Sequence, residues 1–153
     1  MSTTRSTTTP TGPFDEPPIN TSALLGQAWE ALGKKIIDGV QAAGHSIRMS
    51  HSLVFVHVEL DGIRLTNLAA KANMTPQAMG ELIDDLQRMD YVRRVPDPTD
   101  RRAKLILLTD DGMDVMRTAF ETINRIESDL ADLLGPRHLA DLQRSLVKII
   151  EAG

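Results

Sequence analysis

A mainly α-helical chain with one small β-hairpin, an α+β fold, is what the sequence predicts, and three observations carry it. Apolar residues recur at spacings of three and four before residue 41 and again after residue 112, as in helices with one buried face. Between these stretches, Thr75-Pro76 places a hydroxyl cap and then a proline at the start of a further helix, where proline's missing N–H costs nothing. After Asp90 the period turns from helical to extended on both sides of a Pro- and Asp-rich turn.

Size and composition fit one packed domain. The chain has 153 residues, 41% apolar and 25% charged, too short for a two-domain enzyme and ordinary for a globular protein. Cysteine is absent, which removes disulfide frameworks, thiolate zinc sites and thiol nucleophiles. The longest aliphatic or aromatic runs, residues 53–56 and 105–108, fall far below the roughly 18 residues that cross a bilayer. Arg5 is followed by no apolar signal region, so a cytoplasmic protein with no membrane partner is expected. A net charge of -4 argues against indiscriminate polyanion binding and leaves room for a local basic surface.

Residues 1–22 are mostly Thr, Ser, Pro and Gly, with Phe14 and Ile19 among the few bulky apolar members. Such a segment buries too little to offset its ordering entropy, and a flexible arm is expected there. Leu24, Leu25, Ala28, Trp29, Leu32, Ile36, Ile37 and Val40 form one stripe, which predicts a helix within 23–47 that Gly44 stops. Residues 50–60 read locally as a strand, because Val54, Val56, Val58 and Leu60 alternate with Phe55, His57 and Glu59.

Over 65–72 a short helix is expected, with Thr66 as its cap, Leu68, Ala69 and Ala72 inward, and Asn73 in the left-handed conformation at its end. The helix begun by Thr75-Pro76 buries Met79, Leu82, Ile83, Leu86 and Met89. Two helices about three residues apart, with small Ala69 and Ala70 allowing close approach, make a helix-turn-helix. Strands over 91–95 and 103–108 then flank a turn over 96–100, and a helix-turn-helix followed directly by a hairpin is a winged helix, spanning residues 48–110. Thr109 caps the next helix, with Asp110 and Asp111 at its positive end. Met113, Met116, Phe120, Ile123, Ile126, Leu130 and Leu133 are its seam. Gly135-Pro136 interrupts, and Leu139, Leu142, Leu146 and Ile149 mark a last helix within 111–153.

Charge is concentrated on the hairpin. Arg88, Arg93, Arg94, Arg101, Arg102 and Lys104 stand against only Asp90, Asp97 and Asp100. Arginines on a wing suit a narrow minor groove, the competing reading being ordinary solvated strand residues. On the helix from Pro76, the face opposite the apolar stripe presents Thr75, Gln77, Gly80, Glu81, Asp84, Asp85 and Arg88. Gln77 in its first turn is the candidate for an adenine contact, with Thr75 and Pro76 near phosphate or a thymine methyl. Glu81 reads as solvated, and Asp84 and Asp85 as lying to one side. No nucleophile with a base, Gly-rich phosphate loop or paired metal-binding histidines are found, so no catalytic residue, metal or cofactor is expected. His45, His51 and His57, near Glu59 and Asp61, read as hydrogen-bonded structural histidines in preference to a metal sensor.

Residues 65–112 resemble the MarR (multiple antibiotic resistance regulator) family of transcription factors. The similarity lies in Leu68-Ala69, Met74-Thr75-Pro76-Gln77, Leu82, Leu86, Tyr91-Val92, Asp97-Pro98, Asp100-Arg101-Arg102, and Leu108-Thr109 with Gly112. The resemblance implies a homodimer, with residues 23–47 and 111–153 as dimerisation helices and two winged lobes on double-stranded DNA. It implies a helix over 50–60 against the local strand pattern, and that reading is followed here because packing overrides β propensity in short apolar runs. It gives Arg102 a minor-groove role with Asp100 holding its guanidinium, while Gly80, Arg88, Arg94, Arg101 and Lys104 join the DNA-binding set, the last two toward phosphates. Where the family usually has glycine after the recognition helix, this chain has Asp90, which tolerates the left-handed conformation. The resemblance further implies a cleft for a small aromatic or phenolic effector, with Trp29, Met49, His51, Phe55 and His57 as candidate lining. A ligand-responsive repressor on a pseudo-palindromic operator is the expectation. The alternative is a winged-helix dimer that binds protein without specific DNA binding.

Overall fold

The computed structural model describes residues 20–153. The expected arm falls mostly on residues 1–19, outside the described residues, and its last two positions are helical. Asn20 accepts a hydrogen bond from the Ala23 N–H and opens α1 (Thr21–Ala42). This helix ends before residue 47, and the chain turns at residues 43–44 toward buried Ile47.

A 3-10 turn at Met49–His51 runs into α2 (Ser52–His57), so the local strand pattern does not decide this segment. Alternation would have put residues 54, 56, 58 and 60 on one face. Instead Val54 is fully buried beside Phe55, while Val56 is 68% exposed. Beyond His57 the chain is extended at Val58, so helix covers only part of 50–60.

Next come β1 (Ile63–Arg64) and α3 (Leu65–Lys71). Arg64, not Thr66, occupies the cap position of α3; Thr66 sits inside its first turn. Asn73 takes φ 52°. Thr75 Oγ1 accepts from the Ala78 N–H at 3.2 Å and starts α4 (Pro76–Arg88), whose Met79, Ile83 and Leu86 are fully buried. Each such burial contributes about 1.5–3 kcal/mol. Asp90 turns the chain with φ 62°.

β2 (Val92–Asp97) and β3 (Asp100–Leu108) form the wing, longer than the sequence pattern indicated, with an irregularity between Pro96 and Asp97. All pairings are antiparallel and the order is β1-β3-β2, with Ile63 opposite Ile106 and Val92 opposite Leu108. β1 has two residues, too few to show a period.

Thr109 Oγ1 caps α5 (Asp110–Leu134) through the Gly112 N–H. Gly112 is buried, and a Cβ there would lie 2.1 Å from the Tyr91 carbonyl oxygen, so only glycine lets α5 start against the wing root. Tyr91 Oη accepts from the Ser46 N–H at 3.0 Å, tying the same point to the chain after α1. After Gly135, α6 (Pro136–Ala152) buries no residue and leaves Leu142, Val147, Ile149 and Ile150 exposed. No helix among the described residues is long and apolar enough to cross a membrane.

Candidate nucleic-acid interface

The first turn of α4 is open to solvent at Thr75, Pro76 and Gln77, because the capped, proline-led start leaves the apolar stripe to begin at Met79. Gly80 is half-buried and faces α3, where an added Cβ would meet Leu65 at 3.9 Å. It therefore permits helix packing and is poorly placed for a base.

The basic residues divide into two groups. Arg88 pairs with Asp85 at 2.5 Å, and Arg94 bonds Gln87 Oε1 at 2.6 Å and Asp84 at 2.7 Å. Arg94 fastens β2 to α4, Arg88 pairs within α4, and the acids Asp84 and Asp85 are their counter-charges. Arg93, Arg101, Arg102 and Lys104 are exposed and form no ion pair among the described residues. Unpaired positive charge thus collects on the wing itself.

Asp100 does not hold the Arg102 guanidinium. Its Oδ1 accepts from the Arg102 backbone N–H at 3.0 Å, and its Oδ2 stands 3.9 Å from Arg64 Nη1. It shapes the turn and leaves the Arg102 side chain free.

The wing's anchor is a residue the sequence reading saw only as a counter-charge and a motif member. Asp97 is 5% exposed; its Oδ2 accepts from Arg64 Nε at 2.7 Å and Nη2 at 2.6 Å, and its Oδ1 from the Thr99 N–H at 2.7 Å and hydroxyl at 2.6 Å. The Thr99 hydroxyl and N–H bonds, helped by Arg64, hold the Asp97 carboxyl down at about 2 against the opposing effect of desolvation. Asp-Pro-Thr is a local turn signal for Asp97; nothing local points to Arg64.

Behind α4 a second polar group is built. His51 is fully buried; its Nδ1 accepts from the Arg48 N–H at 3.3 Å and its Nε2 lies 3.0 Å from Asp85 Oδ2, which also pairs with the Arg48 guanidinium. Burial pushes His51 below its ordinary value. The His51 bond, with Arg48 and Arg88, holds Asp85 below the usual carboxylate range. His45 instead pairs with Asp114 at 3.0 Å.

A cavity of about 360 Å³ opens between α1, the 49–58 segment and α5. Trp29, Met49 and Phe55 line it, whereas His51 and His57 do not. His51 points to Asp85 instead, because it needs a polar partner once buried. Met116, Phe120 and Ile123 complete the wall from α5, residues whose seam pattern read only as core.

The sequence model of the MarR family matches residues 58–104. The uncharacterized HTH-type transcriptional regulator YsmB of Bacillus subtilis (strain 168) is 26% identical over 91 residues, 60% of this chain, and the match covers 62% of that protein's length. Among solved structures, RV1404 from Mycobacterium tuberculosis is 26% identical with a TM-score of 0.71, over 86% of this chain and 90% of that one. The transcriptional repressor CouR, bound to a 23-mer DNA duplex, shares the fold at a TM-score of 0.68 and 22% identity, over 86% and 92% of the two chains. With the exposed first turn of α4, the anchored wing and the flanking helices in the same order, the chain resembles MarR-family regulators, and its residues 58–104 match that family's model.

Proposed function

We propose that the chain is a sequence-specific DNA-binding transcriptional regulator that sits as a homodimer on a pseudo-palindromic operator and acts as a repressor released by a small effector. One observation carries the reading: on a chain of net charge -4, the unpaired cations Arg93, Arg101, Arg102 and Lys104 gather on the wing, next to the helix whose first turn exposes Gln77. Gln77 has the amide geometry for an adenine edge, and wing arginines suit the minor groove. Of Arg88 and Arg94, expected at the DNA, Arg94 acts mainly by fixing α4 to the wing, and Arg88 is paired with Asp85 within α4.

The second copy is supported by α6, which buries nothing within the chain, and by exposed apolar residues on α1 and α5 such as Leu24 and Leu133. Covering such faces takes an interface of about 2,000 Å² or more. A regulator of this kind works in the cytoplasm, by binding rather than by chemistry. An electrophoretic shift with the DNA upstream of the chain's own gene tests the reading. Retarded, competitor-resistant complexes are expected. Binding no tighter than to unrelated duplex at low salt overturns it and leaves a protein-binding winged helix.

A further inference from the structure

We propose that the cavity between α1, α2 and α5 takes a neutral, largely apolar molecule carrying one hydroxyl or N–H donor, and discriminates against carboxylates and phenolates. The inference rests on the reading of the chain as an effector-responsive regulator and names the chemical class of that effector. It departs from the phenolic anion that the family resemblance implies.

At about 360 Å³ the cavity is of a size that holds small ligands. Its walls are aliphatic and aromatic, chiefly Trp29, Ile37, Phe55, Met116, Phe120 and Ile123, and among the described residues no Lys, Arg, His, Asp or Glu lines it. Met49 closes one side by lying against Gly33, where a Cβ would come within 2.9 Å of the Met49 methyl. Four cations on the neighbouring elements are engaged elsewhere. Lys34 pairs with Asp38, Arg48 with Asp85 and Arg117 with Asp114, and Arg125 donates to Thr122. An anion entering this space gives up its hydration and meets no opposite charge.

Ser52, which carries the one hydroxyl among the described wall residues, sharpens the class. Its Oγ donates to the Met49 carbonyl oxygen at 2.6 Å. The single hydroxyl hydrogen is therefore engaged, and what Ser52 offers a ligand is its lone pairs. It accepts from a hydroxyl or N–H and repels a carboxylate oxygen. A ligand that matches the cavity thus has one donor on an apolar body and no charge.

The experiment titrates the full chain at neutral pH with three molecules of one shape: para-tert-butylphenol, para-tert-butylbenzoate and tert-butylbenzene. Heat is read by calorimetry and, in parallel, the emission of Trp29, the only tryptophan in the sequence and part of the wall. The phenol is expected to bind at least roughly tenfold tighter than the benzoate. Ser52→Ala should bring the phenol down to the level of tert-butylbenzene and leave the latter unchanged. Val56→Arg, on the exposed rim, should supply the missing cation and raise benzoate affinity several-fold. Benzoate binding to the parent as tightly as the phenol, or no binding by any of the three, overturns the inference. Phenol binding that leaves the operator complex intact keeps the ligand class and removes the effector role instead.

Discussion

His51 Nε2 and Asp85 Oδ2 lie 3.0 Å apart, and this bond joins the segment that walls the cavity to the helix that carries Gln77. His51 is neutral there, because its Nδ1 accepts from the Arg48 N–H and its Nε2 donates to Asp85.

The bond gives stability a definite pH dependence. Burial depresses His51 from 6.5 in the folded protein, so the unfolded chain protonates first. The stability from neutral His51 is complete above that value and is lost as pH falls below it toward the depressed folded value. Urea midpoints should therefore drop as pH falls below 6.5, and His51→Gln should flatten that slope. His51→Ala should destabilise by about 1–3 kcal/mol at neutral pH, since it strips a partner from Asp85. A pH slope unchanged in His51→Gln would place the titrating group elsewhere.

The wing root predicts a graded series. Asp97→Asn keeps an acceptor for Thr99 but loses the charge that holds Arg64; Asp97→Ala loses both. Operator affinity should fall in the order parent, Asn, Ala, with the dimer intact by sedimentation. Because Asp97 is lowered from 3.8 to about 2, its share of stability is present above 3.8 and is lost as pH falls toward 2. The Ala variant should lack that part of the acid transition.

At the tip, Asp100 acts on the backbone of Arg102, so the useful pair is Asp100→Asn and Asp100→Ala. The first retains an acceptor for the Arg102 N–H and should bind the operator nearly as the parent does. The second should weaken binding although it removes a negative charge. Arg102→Ala should cost about 1–3 kcal/mol and exceed Arg101→Ala, with affinity falling steeply as salt rises. Tighter binding by Asp100→Ala in a fluorescence anisotropy titration would reduce the wing to a plain basic patch.

Gln77→Ala should lose about 1–3 kcal/mol of discrimination, at positions symmetric about the operator centre. Two-fold lobes place such positions about one helical turn apart, and footprints of operator variants test it. An isolated half-site protected alone contradicts the two-fold arrangement.

Apolar-to-charged changes on α6, Leu142→Asp with Ile149→Asp, should yield monomers at micromolar concentration by sedimentation, because that helix has no core of its own in the chain. The winged lobe should keep its circular dichroism.

Features set by neighbours in sequence were legible in advance. Thr75 and Thr109 cap as their spacing indicates, and Asn73 and Asp90 take the left-handed backbone their side chains tolerate. Features set by distant partners were not. Residues 52–57 are helical because Val54 and Phe55 find a common core, which alternation along the chain cannot reveal. A charge count saw Arg88 and Arg94 but not the Asp85 and Asp84 that neutralise them. Asp97 reads in sequence as a counter-charge and a motif residue but not as an anchor, because Arg64 lies 33 residues away. In the cavity, Trp29, Met49 and Phe55 were foreseen, while Met116, Phe120 and Ile123 were hidden in a stripe that equally describes a packed helix.

The contact of Gly112 with the Tyr91 carbonyl makes α5 a lever. No side chain separates the two at that junction, so a shift of the wing root would press directly on the first turn of α5. At about 1.5 Å per residue, a helix running from Asp110 to Leu134 is on the order of 37 Å long. A tilt of about 5° at one end then displaces the other by roughly 3 Å over that length. The cavity residues Met116 and Phe120 lie in the first half of the arm, nearer the fulcrum than the tip, and Ile123 lies close to its middle. A ligand that spreads the wall slightly there works at short reach, and the mechanical advantage runs toward the far end of the helix.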